Sequence, residues 1–240
     1  MTRKYILTVV KNHCIKEYLK IADWVHNIDH IKTVVSNGRK ICRMEQVRPK
    51  IAFLVELACW LHDLGRVGEE SGLEFGASNH AEVSYNMSKQ ILKPFEKKMG
   101  SESVIKVLQA VREHNLPCLI HTENIVGKLL IDADRGAGIS MVGVFSMLNY
   151  LKVVTTEPVK TEREARDRLA QLSAKLVKTG KVDKAIEKLS YLKDWYYGSQ
   201  KQAGSGVLVS PLHTASARKL YRRAMREIED YIGVLGETRG

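Results

Sequence analysis

The sequence predicts an all-α protein, and two observations carry that reading. Nearly every long segment repeats its apolar residues at helical spacing, and no run sustains polar–apolar alternation. Helix punctuation falls between those segments: Pro49 suits a first turn, Thr161 and Glu164 are spaced as a capping box, and Gly180 closes a charged segment. Apolar residues make up 44% of 240, enough for the core of one large domain or of a domain with an extension.

Helices are expected at about 3–20, 28–44, 50–63, 79–98, 101–114, 123–134 and 139–155. Gly38 is a weak point within the second. Gly65, Gly68, Gly72 and Gly76 punctuate a loop after the third, either a lid or a plain connector. Beyond 155 the helices become longer and more charged, at about 162–179, 182–196 and 212–234, with a Gly/Ser-rich loop over 198–206. The expected organisation is a helical domain over 1–155 and a helical extension over 156–240 packed on it, with a soft boundary.

The basic, briefly apolar N-terminus stops at Val10 without a small-residue cleavage site, so it reads as a first helix and not a signal peptide. No stretch approaches the roughly 20 apolar residues of a membrane span. Cys14, Cys42, Cys59 and Cys118 are far apart. That spacing argues against a cysteine zinc site and for the reducing cytoplasm. The net charge of +11 favours an anionic partner. Nucleic acid is the less favoured form of it, because Lys and Arg are interspersed with acids.

The most informative segment is Ala58-Cys59-Trp60-Leu61-His62-Asp63-Leu64-Gly65-Arg66. An apolar helix ends there on an adjacent imidazole and carboxylate, which are costly to bury unless paired or metal-bound. His30 lies upstream, and His80, His114 and Asp134 downstream, each at the edge of a helical segment. Taken singly, each has a structural alternative. His26 is a near neighbour of His30, Asp132 competes with Asp134, and Arg66 can pair with Glu69 or Glu70.

Together, His26-Asn27-Ile28-Asp29-His30, the His62-Asp63 segment and Ile131-Asp132-Ala133-Asp134-Arg135 resemble the HD-domain metal-dependent phosphohydrolases over roughly residues 20 to 150. The resemblance implies a helical bundle holding a divalent ion (Mn, Fe, Co, Ni, Zn or Mg) through His30, His62, Asp63 and Asp134. In Asn79-His80-Ala81-Glu82 and Val111-Arg112-Glu113-His114 it places His80 and His114 as the extra ligands of two-metal members, with Asp63 between the ions. Asp132 then orients a ligand histidine. Arg66 stands where the family often carries Lys or Arg, and is the expected phosphate clamp beside the catalytic Asp63.

The implied activity is hydrolysis of a nucleotide or other small phosphoester by a metal-activated water. The Gly-Tyr-Pro element of cyclic-dinucleotide members and the Glu-Asp pair of alarmone hydrolases are both missing, which disfavours those substrates. Two alternatives stand beside it. One is a catalytically silent domain binding nucleic acid or a partner protein, suggested by Arg218, Lys219, Arg222, Arg223 and Arg226. The other is a di-iron oxygenase of the same fold.

Overall fold

A helix that is apolar on nearly every side belongs in the middle of a bundle, and α3 (Pro49–Leu61) occupies that place. Every residue from Leu54 to Leu61 except Glu56 is buried, and Leu57, Ala58, Cys59 and Leu61 are fully so. The computed structural model describes residues 2–21, 26–67, 80–114, 122–150, 152–198 and 211–238. Around α3 lie α1 (Arg3–Tyr18), α2 (Ile28–Met44), α4 (His80–Leu92) and α6 (Ser101–Glu113), all in direct contact with it. Between α4 and α6 runs a 3-10 turn (Lys93–Phe95) and the short α5 (Glu96–Met99). A single helix expected over 79–98 is thus interrupted where Pro94 removes an amide donor. No strand occurs among the described residues.

The chain divides into two compact units, Met1–Asp134 and Arg135–Gly240. The division falls within α7 (Ile125–Gly138), earlier than the change of composition near 155. In the second unit, α8 (Met141–Tyr150) packs on α9 (Glu162–Asp167), α11 (Val182–Tyr197) and α12 (Ala215–Glu237), while α10 (Leu169–Lys178) packs on α11. Thr161 accepts from the Glu164 amide as expected. The Glu164 carboxylate reaches back to the amide of Lys160, one residue beyond the reciprocal partner. Glu162 accepts from the amides of Met141 and Val142, capping α8 from a distance. The helix expected over 162–179 breaks at Arg168, which stands between α9 and α10.

The bundle around α3 is held by close contacts at small residues and by a few buried polar bonds. Gly38 does not interrupt α2. A Cβ there would lie 2.9 Å from Cys59 Sγ and 3.7 Å from Ala133 Cβ, so the missing side chain lets α2 approach both α3 and α7. The buried Asn37 next to it donates to the Ala133 carbonyl at 3.2 Å, and the buried Tyr18 hydroxyl donates to the Trp60 carbonyl at 3.1 Å. Cys14, Cys42 and Cys59 are buried free thiols. No helix among the described residues is long and apolar enough to cross a membrane. The segment carrying Gly68, Gly72, Gly76 and Asn79, residues 199–206 of the Gly/Ser-rich loop, and His121 and Cys118 lie outside the described residues.

Gly38→Ala adds helix propensity worth up to about 1 kcal/mol but overpacks the α2–α3 contact, which typically costs about 1–3 kcal/mol. We expect net destabilisation in urea unfolding. Adding Cys59→Ala should show a coupling of about 1 kcal/mol with it, by making room for the new methyl. Strict additivity in that cycle would mean that the two positions do not press on each other.

Candidate metal centre

Three helix ends and two helix starts deliver the side chains. His62 is the C-cap of α3 and His114 that of α6. At such positions the last carbonyls lack helical partners, and each histidine answers this with its own ring. His62 Nδ1 lies 3.0 Å from the Cys59 carbonyl and His114 Nδ1 lies 2.6 Å from the Val111 carbonyl. A carbonyl can only accept, so Nδ1 carries the proton and Nε2 is turned inward as the potential ligand atom. His30 sits in the first turn of α2, fixed by Asn27, whose side-chain oxygen accepts from the amides of Asp29 and His30. His80 begins α4, and Asp134 comes from the last turns of α7.

Asp63 organises the cluster. Its Oδ2 lies 3.5 Å from His62 Nε2 and 3.9 Å from His30 Nε2. Asp134 Oδ1 completes that group at 3.2 Å from His30 Nε2 and 3.6 Å from His62 Nε2. The other oxygen, Oδ1, faces His114 Nε2 at 3.4 Å and His80 Nε2 at 3.6 Å, and these two rings are 3.3 Å apart at their Nε2 atoms. One carboxylate therefore fronts two separate donor sets. Arg66 stands beside the second, its Nε 3.7 Å from Asp63 Oδ1 and a terminal nitrogen 3.4 Å from His80 Nε2. It is turned toward the cluster, with its side chain 14% exposed.

Two ligands about 2.1 Å from one ion at tetrahedral or octahedral angles are about 3.0–3.4 Å apart. The measured separations are at or slightly beyond that range, so a small contraction closes them on a cation. His30, His62 and Asp134 form one group whose ligand atoms lie within 4.8 Å of one another, and His62, Asp63 and His114 form another. His30 Nε2 and His62 Nε2 are buried without a well-directed hydrogen bond, a condition that costs about 1–3 kcal/mol per group. A bound cation removes that cost, and imidazole with carboxylate is a donor set for first-row divalent ions. The cluster could hold a metal ion.

Electrostatics describes the same arrangement. Burial, the largest single influence on His62, pushes its pKa down. The charges of Asp63 and Asp134, with the Cys59 carbonyl accepting from Nδ1, overcome this and leave it at about 9. Burial pushes both carboxyls up, but the imidazoles reverse it: His62 and His114, with Arg66, for Asp63, and His30 and His62 for Asp134. Both end well below the ordinary carboxylate range. Asp63, His62 and His80 are almost fully buried, whereas the Asp134 side chain is 27% exposed. The cluster therefore opens to solvent on the His30–Asp134 side.

Three contributors escape sequence reasoning. Gly65, read above as loop punctuation, is a contact glycine: a Cβ there would fall 2.2 Å from the His80 carbonyl oxygen. Its amide donates to Ser84 Oγ at 2.8 Å, which holds the start of α4, and so His80, against the His62-Asp63 turn. Asn37 and Tyr18 brace Ala133 and Trp60, the neighbours of Asp134 and of the His62-Asp63 turn. His26 lies edge-on to His30, with ring centroids 6.1 Å apart. Asp132 is fully buried. His13 is exposed in α1, and His213 is half-buried in the second unit.

Residues 27–138 match the family model of the HD domain. That segment of the chain is an HD domain. A predicted HD superfamily hydrolase from an uncultured Thermotogales bacterium is 26% identical, covering 73% of this chain and 90% of its own, with a TM-score of 0.44. Bacillus subtilis YpgQ, solved in complex with ADP, is 16% identical over 99% of this chain and 96% of its own, with a TM-score of 0.54, a likeness of fold. No curated protein matches the chain.

The proton on His62 and a divalent ion compete for one lone pair. With its folded pKa raised, His62 contributes stability that is complete below its ordinary value of about 6.5 and is lost as pH rises through about 9. Asp63 and Asp134 contribute stability above the ordinary carboxylate range and lose it as pH falls through their depressed values. Chelator-treated protein should therefore lose thermal stability between neutral pH and about 9. Divalent-ion affinity should rise over the same interval, with proton release seen by calorimetry in buffers of different ionisation enthalpy. An affinity that stays flat there would show that His62 is not the competing group.

Gly65→Ala should displace His80 at a cost of about 1–3 kcal/mol. It should weaken a second equivalent of metal while leaving the first, read from metal content after dialysis.

Proposed function

We propose that the protein is a metal-dependent phosphohydrolase acting on a nucleotide or other small phosphoester. The observation that carries this reading is the division of Asp63: one oxygen faces His30 and His62, the other His80 and His114. His30, His62, Asp63 and Asp134 would hold one divalent ion, and His80 and His114 a second shared through Asp63. A divalent ion bound there supplies a water of lowered pKa and Lewis-acid stabilisation of phosphoryl oxygens. Mn, Fe, Co, Ni, Zn and Mg all remain in play for that donor set.

The chain's own residues do the rest. Asp63 stays ionised because His62, His114 and Arg66 surround it, so it neutralises cationic charge throughout the reaction. The Arg66 guanidinium stands close enough to Asp63 and His80 to reach a phosphoryl oxygen placed over them, and its planar fork suits such an oxygen pair. The exposed His30–Asp134 side gives a small substrate its approach. YpgQ, similar in fold, was solved with ADP, which makes a nucleoside phosphate the first substrate class to assay. The buried free thiols fit a reducing cytoplasm. Convergence of all six metal-type side chains favours an active centre over a silent domain.

Phosphate release from a panel of nucleotides and phosphoesters, with Mn²⁺, Co²⁺, Ni²⁺, Mg²⁺ or Fe²⁺, tests the reading. We expect metal-dependent turnover that folded Asp63→Ala lacks. Arg66→Ala should keep its metal but lose roughly 10–100-fold in kcat/KM, as expected for a lost charge-assisted hydrogen bond. Folded, metal-loaded wild type without turnover on the panel, or with an iron-dependent visible spectrum and oxygen consumption, would overturn the hydrolase reading.

A further inference from the structure

An α-helix gives each backbone carbonyl to the amide four residues further on. At the end of α3 two carbonyls are given to side chains instead. The Cys59 carbonyl accepts from His62 Nδ1 at 3.0 Å, and the Trp60 carbonyl accepts from the Tyr18 hydroxyl at 3.1 Å. The Leu64 amide, whose helical partner would be Trp60, turns to the Leu61 carbonyl at 3.4 Å, and the chain enters the turn that carries Asp63.

Successive residues of a regular helix point about 100° apart. A chain that leaves the helix here brings two adjacent side chains to one centre, with His62 Nε2 and Asp63 Oδ2 3.5 Å apart. Of the two side chains that end the helix, His62 belongs to the cluster itself. Tyr18 does not: it is the last residue of α1, fully buried, and it precedes the segment 27–138 that matches the HD domain.

We propose that Tyr18 is a positioning residue of the metal centre, whose hydroxyl ends α3 through the Trp60 carbonyl and so fixes the turn from which Asp63 faces both donor sets. This role rests on the metal-centre reading above and not on the hydrolase chemistry. It makes α1 a working part of the centre, although α1 supplies no ligand.

The hydroxyl is suited to the task. Burial holds its pKa well above the usual tyrosine value, and Cys14, Asp63 and Asp134 push the same way, so it remains a donor at every working pH. The backbone amide of Asp63, aimed at the same oxygen, is the one influence that pulls it down. A single oxygen therefore meets the turn on both sides of His62, at the carbonyl of Trp60 and at the amide of Asp63. Packing alone asks only for the ring, which Phe would supply. Phe would leave a buried carbonyl without its donor, a condition that the backbone relieves by shifting.

Tyr18→Phe keeps the ring and its volume, so it should stay folded. Its control is Val10→Ala, which opens the core about two turns earlier on the same helix and leaves the hydroxyl in place. Calorimetric titration of the chelator-treated full chain with Mn²⁺ gives the affinity of wild type and both variants, beside urea unfolding of each. We expect Tyr18→Phe to weaken every bound equivalent by roughly tenfold, as loss of an outer hydrogen-bond partner does. Val10→Ala should lose at least as much stability and keep its Mn²⁺ affinity. In the metal-free proteins, amide exchange at Asp63 and Leu64 should quicken in Tyr18→Phe and not in Val10→Ala. Unchanged Mn²⁺ affinity in Tyr18→Phe overturns the proposal. So does an equal loss in Val10→Ala, which would reduce the role of α1 to stability, and so does wild type that binds no Mn²⁺. Turnover enters none of these readouts, so a failure of the hydrolase chemistry is told apart from a failure of this role.

Discussion

A carboxylate that is 3% exposed, set among imidazoles, is the constraint on which the first unit of this protein depends. Ionised groups are not taken into a core without close partners, and the partners of Asp63 arrive from four different helices. His30 comes with α2, His62 with α3, His80 with α4 and His114 with α6. If one helix slides by a turn, a buried charge loses its partner. The packing between these helices is therefore answerable to the cluster as well as to apolar burial. Within the first unit, two close approaches at glycine fall beside it: Gly38 lets α2 down onto Cys59, three residues before His62, and Gly65 lets the start of α4 onto the turn after Asp63.

Helix ends are suited to this work because their backbone groups are unsatisfied. His62 and His114 solve two problems with one ring each. Nδ1–H completes the helix by donating to the carbonyl three residues back, and that same bond presents Nε2 to the cluster. The ring orientation is set by backbone geometry. It survives changes in the neighbouring side chains, as a preorganised ligand must.

Much of this was legible in the sequence, for reasons that also explain what was not. The apolar run Leu54–Leu61, broken only by Glu56, marks a helix, and Ile28–Met44 follows from its periodicity. The six metal-type residues could be proposed because their order resembles a known pattern, and the structure brings them together. Periodicity is silent on contacts between distant segments. Asn37 reads as a polar residue on a helix, yet its partner is a carbonyl 96 residues away. Tyr18 reads as one more apolar position, yet its hydroxyl braces Trp60. Glycine is ambiguous for the same reason: Gly38 and Gly65 look like breakers, but what requires them is the neighbour and not the local backbone. The break at Arg168 has no Gly or Pro to announce it, whereas the interruption inside the helix expected over 79–98 falls at Pro94, a signal that expectation passed over.

The cluster also shows how a metal-type centre can be compatible with folding before any metal arrives. The buried Asp63 and the half-buried Asp134 need positive charge, and the raised pKa of His62 means that a proton supplies it at neutral pH. Arg66 adds a fixed charge beside Asp63. A protonated His62 and Arg66 thus offset the two carboxylates without a metal ion, whereas small zinc modules need their ion to form. A divalent ion bound there would replace the proton on His62 and take over the same electrostatic duty with a higher charge. The consequence is a coupling between proton and metal at one nitrogen atom. Conditions that strip the proton from His62 weaken the metal-free fold and strengthen metal binding by the same free energy, because a single lone pair serves both.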